Sequence, residues 1–314
     1  MKKGNLVVFA EISKAEDLQL DYVTTMIPPK KVLLPQRETI LKFKFENETP
    51  KVEQPAVDGK IVLFGVHPCD INAIKVLDKV LIEGEFKDPY YAQRRENTVI
   101  IGLNCTKAGE YCFCTSFGTG PGAKDGFDIL LTDLGDRFLV EVGTDAGKKI
   151  VEGFKELSKA EDADIAKRDE ILKKVAESIK RRIKTENLET LLLEKINDKI
   201  WQELADECLA CGVCTTVCPT CFCYGVIDRV SADFKEGERI RYWDSCMFLE
   251  FAAVALGGNF RPGRDARLKH RMYHKLVYIK QQHGVFGCVG CGRCVEFCVK
   301  HIDPVDAVTR LSGD

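Results

Sequence analysis

Two short, continuous apolar runs stand out in the first third of the chain, and each ends in polar residues. The runs are Ile61–Val66 and Thr98–Leu103. Their length and lack of alternation are typical of strands buried in a sheet. The residues just after them include Cys69 and Cys105, at the strand ends where open sheets usually place their ligand sites.

Apolar residues then recur at the spacing of one helix face after Asp70, which can cap that helix. Two further strands are predicted at 129–131 and Phe138–Val142, around a Gly-Asp turn. Together these patterns predict that residues 1–150 form an α/β domain.

Residues 151–200 change character, because charge density rises and apolar positions follow helical spacing. The stripes at 172–183 and 188–204 predict two amphipathic helices. Ser158 and Glu161 have the spacing of a capping box ahead of the first stripe. We therefore predict a helical connector.

Two runs in the last third share the cysteine spacing C-x2-C-x2-C-x3-C, which is typical of ligands in bacterial ferredoxins. In that pattern the fourth cysteine of each run ligates the other cluster. Structural zinc is the alternative, but a zinc ion needs only four ligands in all. One predicted [4Fe–4S] cluster is held by Cys208, Cys211, Cys214 and Cys298. The other is held by Cys288, Cys291, Cys294 and Cys218.

The segment between the two runs is too long for a compact bacterial ferredoxin. Residues 201–314 are therefore predicted to be an α-helical ferredoxin-like domain, in which helices separate the binding loops. The predicted fold class is α+β and multi-domain: an N-terminal α/β domain, a helical linker and this domain. Gly212, Gly290 and Gly292 are expected to keep backbone amides near the cluster sulfur atoms. Val299 stands where proline is usual, which affects the local turn more than ligation.

A further set of four cysteines lies in the first domain: Cys69, Cys105, Cys112 and Cys114. If their two strands are neighbours in a parallel sheet, these thiols converge at one edge. We predict a third [4Fe–4S] cluster there, with buried reduced thiols as the alternative. The glycine-rich residues 118–122 favour a tight turn over a phosphate loop, because a Cys-x-Cys loop precedes them and Pro121 interrupts the motif.

Three cysteines are left over: Cys221, Cys223 and Cys246. They are one short of a cubane ligand set, so we expect packing or sulfur hydrogen bonds beside the clusters. A substrate-reactive thiol is the alternative. His270 and His274 share one helix face with several basic residues, which either offsets cluster charge, holds an acidic partner or is ordinary solvated surface.

Composition limits the classes of function. The net charge of −2 gives no support for binding nucleic acid. No apolar run reaches the length of a membrane helix, and no signal peptide is evident, which favours a cytoplasmic location without membrane insertion. An odd total of 15 cysteines, clustered at metal-ligand spacings, favours metal thiolates over disulfides.

With these motifs together, the chain resembles a family of iron–sulfur subunits found in anaerobic sulfite reductase and, as the beta subunit, in nickel–iron sulfhydrogenase. The resemblance lies in both cysteine runs and in segments at 64–70, 88–95, 112–121, 241–246 and 257–262. It implies an anaerobic electron-transfer subunit between a flavin-binding, NAD(P)H-fed reductase subunit and a catalytic redox subunit. The chain has no dinucleotide-binding fingerprint, so flavin and nicotinamide are expected on a partner.

The leading hypothesis is thus an iron–sulfur electron-transfer subunit with no catalytic residue of its own. The alternative is a thiol- or sulfur-reducing subunit that uses Cys221, Cys223 or Cys246. A third possibility is a cluster-bearing sensor or scaffold.

Overall fold

The computed structural model describes residues 1–3, 6–46, 49–57 and 59–313. Its strands are β1 (Lys2–Lys3), β2 (Leu6–Val7), β3 (Arg37–Glu46), β4 (Thr49–Glu53), β5 (Ile61–Val66), β6 (Thr98–Leu103), β7 (Ile129–Asp133), β8 (Phe138–Val142), β9 (Tyr224–Val230) and β10 (Glu236–Trp243). Its α-helices are α1 (Lys30–Leu33), α2 (Pro68–Leu81), α3 (Pro89–Glu96), α4 (Asp145–Val151), α5 (Asp162–Ser178), α6 (Leu188–Glu194), α7 (Ile200–Glu207), α8 (Val213–Thr216), α9 (Arg264–Tyr273), α10 (Ile279–His283), α11 (Arg293–Glu296) and α12 (Pro304–Ser312). A π-helical turn, His274–Tyr278, joins α9 to α10 in one continuous helix.

The first sheet has the strand order β5-β6-β7-β8. Strands β5, β6 and β7 are parallel, and β8 pairs antiparallel with β7. The four strands predicted from the apolar runs are therefore confirmed, as is the contact between the first two. Helix α2 begins earlier than expected, with His67 rather than Asp70 at the N-cap. Pro68 explains the difference, because the fixed φ of proline suits the first helical position.

The second sheet is antiparallel, with the order β4-β3-β10-β9. Strands β9 and β10 form a hairpin between the two cysteine runs, so the predicted helices, α9 and α10, make up only part of the segment that separates the binding loops. The sheet joins strands from residues 37–53 to strands from residues 224–243. It thus connects segments assigned to the first and third predicted domains, and the division into three domains stays a prediction.

The connector is helical, but its boundaries differ from the prediction. Helix α5 is capped by Glu161 with Asp164, not by Ser158, and it ends at Ser178. The second stripe is split into α6 and α7. Asp198 explains that break, because its carboxylate accepts a hydrogen bond from the Ile200 backbone N–H at 3.0 Å and so starts a new helix.

Two apolar cores and a smaller seam hold these elements together. One core lies under the first sheet, and the other is formed by the helices on both sides of the cysteine runs. The seam contains Ala73, Val76, Ile279 and Val289, with Cys69 and Cys291 packed against it. Among the residues that the structure describes, no helix is long and apolar enough to cross a membrane.

A buried ion pair joins the second cysteine run to α2. The Arg293 guanidinium donates two hydrogen bonds to the Asp70 carboxylate, at 2.8 and 2.7 Å, and a third to the Thr25 carbonyl oxygen at 2.7 Å. Both charged side chains are almost fully buried. Because a charge without its partner is costly away from water, this pair fixes how the last third of the chain sits on the first sheet.

Replacing Arg293 with Met should therefore destabilise the protein strongly, since Asp70 is left buried and unpaired. We expect the free energy of unfolding to fall by about 3–5 kcal/mol, and the double variant Arg293→Met/Asp70→Asn to recover part of the loss. Thermal melting under anaerobic conditions measures both. The control is Arg239→Met, which breaks an exposed bidentate pair with Asp228 and should change melting far less. Equal effects of Arg293→Met and Arg239→Met would contradict this role.

Candidate metal centre

The eight cysteines of the two runs line two neighbouring cavities. The first is bordered by Cys294 and by one predicted ligand set: Cys208, Cys211, Cys214 and Cys298. The second is bordered by the other set: Cys218, Cys288, Cys291 and Cys294. The fold thus brings together the crossed combinations predicted from spacing, and ligation by them stays a prediction.

The two binding loops repeat one backbone conformation. Ala210 and Gly290, each two residues after the first cysteine of its run, have φ values of 52° and 64°. Gly212 and Gly292 follow with φ values of 74° and 76°. The backbone N–H of Ala210 donates to Cys208 Sγ, and that of Gly290 donates to Cys288 Sγ, each at 3.4 Å. Such bonds tune the potential of a cluster held by these sulfur atoms.

Two buried cations lie among the cysteines. Arg271 borders both cavities, and its guanidinium donates to the Cys214 carbonyl oxygen at 3.1 Å. Lys275 borders the second cavity, and its ammonium donates to the backbone oxygen and the hydroxyl of Thr220 at 3.0 and 2.9 Å. Both side chains belong to the basic helix face predicted near His270. Because they are buried, this part of the face is not ordinary solvated surface.

The Arg271 Nε atom is buried without a hydrogen-bond partner in the part of the chain that the structure describes. A buried donor of this kind requires an acceptor. An anionic iron–sulfur cluster in the adjoining cavities would supply sulfur acceptors and would be compensated by the guanidinium charge. The residues present therefore fit such a group by their donor set and their charge.

Burial also fixes the protonation of these thiols in the absence of metal. It raises the pKa of the Cys214 thiol to about 11 and that of Cys288 to about 12. Both thiols are therefore protonated at neutral pH, and iron must displace those protons to bind.

Among the described residues, no three His, Cys, Asp or Glu side chains converge on one metal-ion position.

The first-domain cysteines lie next to the second cavity. Cys69 lies in the first turn of α2, just after β5, and Cys105 follows β6, so the parallel pairing places both at the same sheet edge. Burial raises the pKa of Cys105, and the nearby Cys114 and Cys112 raise it further. Cys69 lies close enough to Cys105 and Cys291 for each to raise its pKa, after burial and Asp70. The four predicted cysteines thus gather at one edge, beside a cysteine of the second run.

Close backbone contact joins that edge to the second binding loop. The Phe113 N–H donates to the Gly290 carbonyl oxygen at 2.8 Å. A methyl group at Gly290 would lie 2.6 Å from the Cys114 backbone, and one at Gly292 would lie 2.4 Å from the Tyr111 carbonyl oxygen. Only glycine allows this approach with these φ values. The 118–122 stretch forms a turn that returns to the same contact, because Thr119 Oγ1 donates to the Val289 carbonyl oxygen at 2.7 Å.

The three remaining cysteines form a separate group near the second cavity. Cys221 interacts with Cys218, and Cys223 interacts with Cys246. Lys30 lies beside them, buried, with its ammonium 2.8 Å from the Cys221 carbonyl oxygen. His270 and His274 stack on each other. Burial lowers their pKa values to about 4 and about 3, so both are neutral.

Several of these residues were missed by sequence reasoning. Lys30 lies far from the cysteine runs in sequence, and nothing in its local pattern indicates burial. Ala210 was overlooked because positive φ is associated with glycine, although its place in the repeat, equivalent to Gly290, could have revealed it. The Arg293–Asp70 pair was also missed, because charged side chains are usually exposed.

Comparison with known proteins agrees with this geometry. The 4Fe-4S dicluster domain family matches residues 207–302. The chain is 42% identical over 304 residues to sulfhydrogenase 2 subunit beta from Pyrococcus furiosus, covering 96% of this chain and 88% of that protein. It is 26% identical over 103 residues to the fumarate reductase iron–sulfur subunits of Escherichia coli O157:H7 and Shigella flexneri, which covers 33% of this chain and 32% of each of those proteins. No solved structure matches the chain.

The long match confirms the resemblance seen in the motifs, and it extends over nearly the whole chain rather than the cysteine runs alone. The chain belongs to the family of iron–sulfur subunits that includes the sulfhydrogenase beta subunit, and it carries a 4Fe-4S dicluster domain.

Proposed function

We propose that this chain is an electron-transfer subunit that connects a flavin-binding, NAD(P)H-fed reductase subunit to a catalytic redox subunit of hydrogenase or sulfite reductase type. The observation that carries the proposal is the pair of cavities lined by crossed cysteine sets. A [4Fe–4S] cluster bound by such a set supplies one-electron transfer. The partners are proposed from the family, since the long relative is itself named as one subunit of a sulfhydrogenase.

We assign one cluster to each cavity and a third to the first-domain cysteines. The first cavity uses Cys208, Cys211, Cys214 and Cys298. The second uses Cys218, Cys288, Cys291 and Cys294. The third set is Cys69, Cys105, Cys112 and Cys114. Support for a series comes from the contacts between the sets, because Cys69 packs on the same apolar seam as Cys291, and Arg271 borders both cavities.

The series would end at the protein surface near Cys211, an exposed cysteine. Leu209 and Val299 border the same cavity and are exposed, and Phe248 lies against Gly212. Exposed apolar side chains around a redox centre suit the docking of a partner, because they are desolvated when it binds. We therefore propose that one of the two redox partner subunits docks over Cys211.

The buried charge of Arg271 should raise the reduction potentials of both clusters, because a cation favours the more negative reduced state. Charges about 8 Å apart at an effective dielectric constant of about 20 interact by roughly 2 kcal/mol, or roughly 85 mV for one electron. Arg271→Met should therefore lower both midpoint potentials by tens of millivolts. Potentiometric titration monitored by EPR measures the shift. Arg271→Lys is the control and should shift them less; unchanged potentials in Arg271→Met would rule out the charge effect.

The third cluster can be tested by removing one of its cysteines. Cys69→Ala should lower the iron content by about four atoms, since a cubane lost from the first domain takes all its iron with it. Iron and acid-labile sulfide analysis of purified protein measures this. Cys246→Ser is the matched control, a buried cysteine outside every proposed ligand set, and should keep the full iron content. If Cys69→Ala also keeps it, the first-domain cysteines are buried thiols only.

A charge placed in the docking surface should hinder the partner. Val299→Glu should slow one half-reaction of the intact complex, either reduction by NAD(P)H or reoxidation by the catalytic subunit, by about tenfold or more. Stopped-flow absorbance of the clusters measures both. The control Val52→Glu places the same charge on β4, where the valine is 59% exposed, compared with 73% for Val299. Docking elsewhere is indicated if both half-reactions keep their rates in Val299→Glu.

A further inference from the structure

The β9–β10 hairpin brings together two cysteines outside the three proposed ligand sets. Cys223 immediately precedes β9, and Cys246 lies shortly after β10. Tyr224 pairs with Trp243 where the strands meet, and the Asp244 N–H donates to the Cys223 carbonyl oxygen at 3.0 Å. Both cysteines therefore lie at the same end of the hairpin.

The two thiols also lie close to each other. The Cys246 thiol and backbone N–H lie near enough to the Cys223 sulfur to affect its pKa. Thiolates that hold one cubane each bind a different iron, and so they stand apart. Two sulfur atoms in hydrogen-bond contact need only a small movement to form a disulfide.

The pair is unequal in exposure. Cys246 is buried, whereas Cys223 is partly exposed and borders a small pocket. Apolar and aromatic side chains form most of its wall, including Leu34, Phe222 and Trp243. The charged groups in the wall, Asp88 and Arg241, are paired with each other. Cys223 is therefore the one thiol of the pair that can be reached from outside, past a largely apolar wall.

The surroundings favour Cys223 as the nucleophile. The hydrogen bond from Cys246 lowers the pKa of Cys223 to about 6, against the effect of burial, and the buried ammonium groups of Lys275 and Lys30 lower it further. The same hydrogen bond raises the pKa of Cys246. A thiolate next to a protonated thiol is the arrangement in which the first attacks and the second resolves.

We propose that Cys223 and Cys246 form a redox-active dithiol that reduces small disulfides at the partly exposed Cys223 sulfur. The Cys223 thiolate attacks one sulfur of the substrate, forms a mixed disulfide and releases the first substrate thiolate, which takes a proton from water. The Cys246 thiol then attacks the Cys223 sulfur, forms the Cys223–Cys246 disulfide, and passes its proton to the second leaving thiolate. Two one-electron reductions and one proton restore the thiolate and thiol. Only this last step rests on the proposed function, which supplies iron–sulfur donors.

The test uses the full-length protein with its thiols reduced, its clusters oxidised and the thiol reductant removed, and 2-hydroxyethyl disulfide as the probe at neutral pH. Wild type should form the Cys223–Cys246 disulfide, identified by peptide mapping, and release two substrate thiols per chain. Cys246→Ser should stop at a mixed disulfide on Cys223, detected as a mass increase of one probe thiol. Cys223→Ser should react at least about tenfold more slowly, because the activated thiolate is lost. Cys221→Ser is the matched control and should react as wild type does.

Iron content is measured on every variant. Loss of iron in Cys223→Ser or Cys246→Ser would overturn the proposal, because the two residues would then be cluster ligands. It is equally overturned if Cys246→Ser carries the probe on another cysteine, or if wild type reacts no faster than Cys223→Ser. Failure of the electron-transfer function is distinguishable, since it would appear as wild-type protein without iron while the stoichiometric reaction with the probe is retained.

Discussion

The ion pair between Arg293 and Asp70 is the interaction on which the arrangement of the cysteines depends. It anchors the second binding loop to the start of α2, one residue from Cys69. The loop then lies so close to residues 111–114 that two of its positions admit only glycine. One buried contact therefore sets the distance between the first-domain cysteines and those of the second run. This explains why the two parts of the chain form one structure, although their cysteine patterns look independent.

Charge compensation is the second constraint. Up to twelve thiolates and their clusters would be strongly anionic in a largely buried setting, where unpaired charge is costly. Three cations are buried beside the cysteines and compensate this charge. Arg271 and Lys275 lie between the two runs, and Lys30 lies beside the hairpin. The π-helical turn that contains Lys275 fits this picture, because such turns are often found at functional sites. The same cations that stabilise bound clusters would also stabilise a free thiolate at Cys223.

Sequence patterns were most informative where chemistry is local. The buried strands Ile61–Val66 and Thr98–Leu103, and the crossed grouping of the two cysteine runs, followed from apolar runs and spacing alone. The pairing of β3 with β10 could not be predicted, because the strands are about two hundred residues apart and alternation does not name a partner. The split between α6 and α7 was missed for a different reason: an apolar stripe can continue through a capped break. Lys30 and Arg293 could not be predicted as site residues from the sequence, because they are buried only by tertiary contacts.

The central claim is that three iron–sulfur clusters lie in series within this one chain. The most direct measurement is quantitative EPR of the fully reduced protein, with spins counted against the iron and sulfide content. The account predicts about twelve iron atoms and three spins per chain, with lines broadened by magnetic interaction between neighbouring clusters. Zinc in place of iron would contradict the account altogether. A maximum of two spins with about eight iron atoms would contradict the third cluster and leave the first-domain cysteines without a metal.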